Sequence, residues 1–247
     1  MTANQIQPRT LYLVATPIGN LGDITYRAVE VLRQCEWIAA EDTRTSRVLL
    51  NHYGITGKNM ISYYGAREAE RAQELLRHLN DGASVAVITD AGTPGISDPA
   101  VRIVRLAIAR GIPVVPVPGP SALLAALCAS GLDTASFAFE GFLPIKSGKR
   151  LTSLKRYCAE DRTVILYESP HRIERLLEEL ESLIPERRIV VARELTKMFE
   201  EFLRGTPAEI RARMIGKKLK GEMVVVIPGI SAHPLELPPP DADGGSQ

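Results

Sequence analysis

Short apolar runs and stretches of helical spacing alternate along the first half of the chain. Residues 11–16, 37–40, 60–63, 84–89 and 113–117 are brief runs of branched or small apolar residues, the mark of buried strands. Between them, 24–35, 43–52, 66–79 and 101–109 repeat apolar residues at helical intervals, as Ala28, Val31 and Leu32 do. Strands separated by single helices are βαβ units, so this half predicts a mainly parallel sheet. The second half is less regular, with strand-like runs at 136–140, 163–167, 188–192 and 223–227. Helices are predicted at 151–158, 172–183 and 208–215, and the alternation at 199–203 predicts that this second sheet is mixed. The change of pattern predicts two α/β domains, 10–117 and 118–230. The string VPVPGP at 115–120 ends a strand between them and opens a helix over 121–129. Residues 1–9 and the proline- and glycine-rich tail 231–247 are expected to be disordered.

Composition narrows the class without naming a function. The 247 residues are 45% hydrophobic and 24% charged, with a formal net charge of +1, which are globular averages. The longest apolar stretch, 122–129, is far short of the ~20 residues that span a bilayer. The polar start containing Pro8 is no secretory signal, and Cys35, Cys128 and Cys158 form no CxxC pair. A cytoplasmic protein without disulfides is expected. The near-neutral total conceals two basic runs. Lys146, Lys149, Arg150, Lys155, Arg156 and Arg162 face only Glu160 and Asp161, and Arg204, Arg211, Arg213, Lys217, Lys218 and Lys220 face only Glu209. Such runs are either solvated helix faces or phosphate-contacting patches.

Familiar nucleotide motifs fail. No GxGxxG follows the first strand, and a P-loop ending at Gly148-Lys149 would need Gly where Leu143 stands and Ser or Thr where Arg150 stands. His52, His78, His171 and His233 show no ligand spacing, so no metal is expected. Three loops remain, at 16–23, 89–99 and 118–122, each after the C-terminal end of a parallel strand, where open α/β sheets bind ligands. Each alone could be a tight βα turn with a capping residue such as Asp98 or Ser121. Three on one sheet edge favour a ligand crevice, with glycines admitting the backbone and Asp90 supplying charge. The second half adds polar strings at strand ends: Lys146 after a Pro turn, YESPHR at 167–172, and ARELTK at 192–197.

These strings resemble one family. LVATPIGNLGDIT at 13–25, AEDTR at 40–44, DAGTPGISDP at 90–99, PGPSA at 118–122, YESPHR and ARELTK are similar to those of the bacterial ribosomal RNA small subunit methyltransferase I family. The likeness runs from about Leu11 to Ile227. It implies two α/β domains of the tetrapyrrole methylase type, a homodimer, and S-adenosylmethionine in a cleft between the domains. It also implies 2′-O-methylation of cytidine 1402 in 16S rRNA, with the substrate presented in the 30S subunit. Tetrapyrrole relatives commonly carry a GxGxGDP-like first loop, which differs from the PIGNLGD here and argues against a tetrapyrrole substrate.

By the same resemblance the cofactor is expected against Pro17, Asp90, Ala91, Gly92, Ile96, Ser121, Ala122, Leu143 and Tyr167. RNA contacts are expected at Arg44, Lys146, Lys149, Arg150, Arg172 and Arg193. Glu168, Glu194 and Lys197, at strand ends in the matching strings, are the candidate catalytic groups. Lys197 would act as a base only if burial and Arg193 lowered its pKa towards roughly 7–8, and Glu194 only if desolvation raised its own. The favoured reading is an acid–lysine pair that orients the hydroxyl and accepts its proton; the alternative is a structural Glu194–Lys197 salt bridge with catalysis by proximity alone. With aromatics only 5% of the chain, a broad base-stacking platform is not expected. Two other functions fit less well: a same-fold methyltransferase acting on a small molecule or modified protein side chain, which leaves the basic runs idle, and a non-catalytic ribosome-binding protein, which leaves the cofactor loops idle.

Overall fold

A computed structural model describes residues 5–98, 100–214, 216 and 221–233. The chain forms two compact units that divide between Ser121 and Ala122, slightly beyond the expected division at 117/118. The first unit contains β1 (Leu11–Val14), α1 (Tyr26–Gln34), β2 (Trp37–Ala40), α2 (Thr43–His52) and β3 (Asn59–Ser62). It continues with α3 (Glu68–Asn80), β4 (Val85–Ile88), α4 (Val101–Ala109) and β5 (Val114–Val117). Its sheet has the order β3-β2-β4-β1-β5, and every pairing is parallel.

Helices cover both faces of this sheet, which is why β4 is apolar throughout and buried along its whole length. One layer packs Ala28, Val31 and Leu32 of α1 and Leu50 of α2 on Val14, Ile38 and Ile88. The other packs Leu75, Leu76 and Leu79 of α3 and Ile103 of α4 on Leu11, Val85 and Val87. Because all five strands run the same way, the loops after β1, β2, β4 and β5 emerge at one edge.

The second unit contains α5 (Ala122–Ser130), β6 (Phe137–Phe142), α6 (Ser147–Cys158), β7 (Thr163–Glu168) and α7 (Ile173–Leu183). It is completed by β8 (Ile189–Arg193), β9 (Glu201–Gly205), α8 (Pro207–Met214) and β10 (Met223–Ile227). Its sheet, β6-β7-β10-β8-β9, is mixed: β6 and β7 are parallel and the remaining pairs antiparallel. Leu154 of α6, Leu176, Leu177 and Leu180 of α7, and Ile210 and Met214 of α8 cover one face. α5 packs against β7, β8 and β10.

Two boundaries differ from the sequence reading. α6 begins at Ser147, a full turn before the predicted 151, because Arg150 in that turn is anchored inside the unit rather than solvated. Residues 5–9 are tied to the first unit by the Ile6 N–H donating to Gln34 (3.2 Å), that of Gln7 to the Tyr12 hydroxyl (2.7 Å) and that of Arg9 to the Gly82 carbonyl (2.9 Å). The remainder of the expected disordered start, residues 1–4, lies outside the described residues, as do 234–247 of the tail. Lys217, Lys218 and Lys220 of the second basic run also lie outside them. Among the described residues no helix is long and apolar enough to cross a membrane.

Leu180 is wholly buried in the α7 core layer. Leu180→Ala should lower unfolding stability by about 2–5 kcal/mol, read as a shift in the urea midpoint.

Candidate active site

The loops after β1, β4 and β5 are joined to one another. Thr16 and Gly92 form an isolated antiparallel bridge, with N–H···O distances of 2.9 and 3.1 Å, and the Thr16 hydroxyl donates to the Thr89 carbonyl at 3.0 Å. Thr93 donates from its hydroxyl to the Pro120 carbonyl at 3.1 Å, tying the second loop to the third. Gly92 needs its φ of 86°, which side-chain-bearing residues rarely adopt, to make this bridge. Gly119 answers a different constraint: a Cβ there would lie 2.9 Å from the Ala15 Cβ. Two loops therefore approach at backbone distance, which fixes the spacing of the edge.

Polar groups line the same edge. The Glu41 carboxylate accepts from the Thr89 hydroxyl at 2.9 Å and from the Asp90 N–H at 3.4 Å. Asp90 accepts from the Asp42 N–H at 3.1 Å. Partial burial, with help from the nearby Glu41 and Asp42 charges, lifts the Asp90 carboxyl above its usual range. Asp42 is pulled down to about 2 by its hydrogen bonds with Arg44. Asp98 folds the second loop by accepting from the Gly95 and Ala100 N–H groups, both at 2.7 Å. Asp90, Ala91 and Ile96 remain exposed, whereas Pro17 and Gly92 are buried beneath them and Ser121 is half-buried.

In the second unit a carboxylate is buried among guanidiniums. Glu168, at the end of β7, is 3% exposed and Arg150 only 1%. Arg150 Nη1 lies 3.2 Å from Glu168 Oε2, and its Nε donates to Glu179 Oε2 at 2.7 Å. Glu168 Oε1 accepts from the Ser169 N–H at 2.8 Å and lies 3.3 Å from Arg172 Nε. Arg172 Nη2 then donates to the Leu143 carbonyl at 2.7 Å. This chain of ions ties α6, α7 and the ends of β6 and β7 together.

Several expected roles change as a result. Arg150 is sealed inside the unit and cannot meet an RNA phosphate. Glu168 has both oxygens engaged and no open face, so it is not placed to receive a proton from substrate. Arg172 is committed to Glu168 and Leu143, and Arg193 to Glu201 across the β8–β9 ladder at 3.0 Å. Lys146 and Lys149 are exposed and make no ion pair among the described residues. Arg44 is 88% exposed on its side chain although paired with Asp42, a pairing that solvent weakens. Glu41, Glu179 and Thr16 had no assigned role in the sequence. Capping-type hydroxyls and helix-face acids look alike in sequence whether they knit loops or meet only water.

Lys197 and Glu194 do meet, at 2.8 Å, with Glu222 3.5 Å from the same ammonium. Glu194 adopts a left-handed φ of 52°, and its carboxylate occupies the space that a Cβ on Gly221 would need. The hydrogen bond from Lys197 holds the Glu194 carboxyl below its usual range. For Lys197, burial pulls downward, but the hydrogen bond and charge of Glu194 and the charge of Glu222 outweigh it and leave the pKa raised. Both shifts favour the charged forms, the reverse of what a neutral lysine base or a protonated glutamate requires. The pair is a salt bridge.

The family model of tetrapyrrole (corrin/porphyrin) methylases matches residues 10–211. A ribosomal RNA small subunit methyltransferase I of Haemophilus influenzae is 48% identical over 222 residues, spanning 89% of this chain and 78% of that protein. A protein of the same name from Synechocystis sp. is 50% identical over 229 residues, spanning 92% and 81%. In fold the chain is similar to the uroporphyrin-III C-methyl transferase of Thermus thermophilus complexed with S-adenyl homocysteine, with a TM-score of 0.59 at 20% identity over 88% of this chain and 96% of that one. Two α/β units with a glycine-loop edge on a parallel sheet thus define an S-adenosylmethionine-dependent methyltransferase of the tetrapyrrole methylase class. Within that class, the chain belongs to the ribosomal RNA small subunit methyltransferase I family.

The edge suits this cofactor. Gly119 holds the backbone where a Cβ would intrude, Gly92 supplies a left-handed φ, Asp90 offers a carboxylate to hydroxyls or an ammonium, and Ile96 offers apolar surface. Gly92→Val should abolish donor binding in calorimetry while the circular dichroism spectrum stays that of the folded chain; unchanged affinity would remove the second loop from the site. A pH profile checks the salt bridge. The Glu194 contribution is lost as pH falls through its depressed pKa and the Lys197 contribution as pH rises through its raised one, so the pair stays intact from about pH 5 to 10. Single-turnover rates should show no limb between pH 6 and 9 that Lys197→Met removes.

Proposed function

We propose that the chain transfers a methyl group from S-adenosylmethionine to the ribose 2′-hydroxyl of cytidine 1402 in 16S rRNA. It does so as a cytoplasmic homodimer, on rRNA presented in the small subunit. The observation that carries this reading is identity of 48–50% to methyltransferases named for small-subunit rRNA, over some nine-tenths of the chain. The family match over residues 10–211 takes in all three interlocked loops.

The bound cofactor would supply an electrophilic methyl group on a sulfonium. The first unit's part is to hold it, through Pro17, Asp90, Ala91, Gly92, Ile96 and Ser121, with Ala122, Leu143 and Tyr167 of the second unit completing the set. A 2′-hydroxyl is a weak nucleophile, so alignment contributes most. In this reading the charged Glu194–Lys197 pair orients the ribose, Glu168 and Arg172 hold the Leu143 strand end in place, and the hydroxyl proton leaves to water. Lys146, Lys149 and Arg44 neutralise phosphates, which position the RNA without reading its sequence.

Labelled donor offered with 30S subunits lacking the modification, with naked 16S rRNA and with a metabolite extract should label the RNA, with loss of label when the 2′-hydroxyl is absent. Label confined to small molecules would overturn the reading. Removing the charges of Lys146 and Lys149 together should reduce the slope of log affinity against log salt by about 1–2, with donor affinity unchanged.

A further inference from the structure

Beyond the cofactor edge, the end of β6 presents a ring to solvent beside unpaired positive charge. Phe142 is 55% exposed although its backbone is paired in the sheet, opposite Tyr167 of β7. The β6–β7 register slips between Phe139 and Gly141, and Gly141 takes a left-handed φ of 64°. In a regular strand residues 139 and 142 would point to opposite faces. The extra residue turns both onto the face of Tyr167, whose ring stands edge-on to Phe139 at 4.8 Å and to Phe142 at 5.6 Å between centroids. Bulges commonly re-aim a side chain beside a functional site.

What surrounds the ring decides its partner. Ile145 is 86% exposed, and the exposed Lys146 and Lys149 follow it with no acid in the first turn of α6 and no ion pair among the described residues. Elsewhere in this unit the exposed apolar tip Met198–Phe199 adjoins Glu200 and Glu201, a setting that repels polyanions. Tyr167 also lies on β7, which packs against α5, the helix that begins at Ala122 directly after Ser121. The ring is thus one aromatic contact from the residues assigned to the cofactor, and Lys146 and Lys149 follow it four and seven residues on along the chain.

We infer that Phe142 is a stacking platform for an unpaired nucleobase of the RNA substrate, with Lys146 and Lys149 holding the phosphates that flank it. Single-stranded RNA is recognised by splaying bases onto aromatic faces while cations track the backbone. The inference rests on the proposed rRNA substrate and adds the element that fixes one nucleotide. It asks for a single anchored base rather than a broad platform, as the few aromatics of the chain require.

The test uses the full chain and a short single-stranded RNA of the decoding-region sequence with pyrrolocytidine, whose fluorescence is quenched on stacking, at the target position. Wild type and Phe142→Tyr should quench it. Phe142→Leu should lose the quench and bind roughly tenfold more weakly, with donor affinity and thermal midpoint unchanged. Lys149→Gln should weaken binding and flatten its salt dependence while keeping the quench. Full quenching and affinity in Phe142→Leu would overturn the inference and leave the rRNA reading standing, as would a fall in oligomeric state with RNA affinity intact. Wild type that methylates 30S subunits without quenching the probe also overturns it. Wild type that does neither overturns the rRNA reading itself.

Discussion

A carboxylate removed from water needs fixed positive charge and hydrogen bonds in place of its hydration, and Glu168 has both. Arg150 and Arg172 flank its two oxygens, and the Ser169 N–H supplies a third contact. Removing either partner of such a pair typically costs about 3–5 kcal/mol, because the other charge is left buried alone. The geometry around it follows. α6 starts a turn early because Arg150 must reach inward, α7 starts where Arg172 must reach back, and the β6 strand end is held through the Leu143 carbonyl. In the first unit the Thr16–Gly92 bridge plays the corresponding part with neutral groups.

The fold was largely legible in the sequence because its signals were local. β2, α2, α4 and β10 occupy the predicted residues, since each is an uninterrupted apolar run or a clean helical repeat bounded by a cap or a glycine. The mixed second sheet was readable from the alternation before β9. The chemistry was less legible, and for a consistent reason. A basic run in sequence does not say which of its members turn inward. Arg150 and Lys149 are neighbours with the same apparent character, yet one is sealed among acids 18 and 29 residues away in sequence and the other is exposed. Arg193 was invisible as an ion-pair member because its partner Glu201 is defined by strand register, which periodicity does not specify.

Charge in this protein therefore works in two separate populations. Several arginines of the second unit are held in ion pairs: Arg150, Arg172 and Arg175 in the chain through Glu168 and Glu179, Arg193 on Glu201, and Arg211 on Glu178 and Glu181. The planar fork of arginine suits such fixed, many-donor roles, whereas a lysine loses little by remaining solvated. Lys146 and Lys149 are exposed instead. The net charge of +1 says nothing of this division.

The slipped register in β6 has a second effect, on folding rather than recognition. β5 and β6 are edge strands of consecutive sheets, separated in sequence only by α5, so each is a template for the other as the chain emerges. Pro116 lacks the N–H that an added strand would need, and the kink at Gly141 spoils the regular ladder on the other side. A chain with both devices removed would be prone to run its two sheets together, or to pair edge to edge with its neighbours and aggregate.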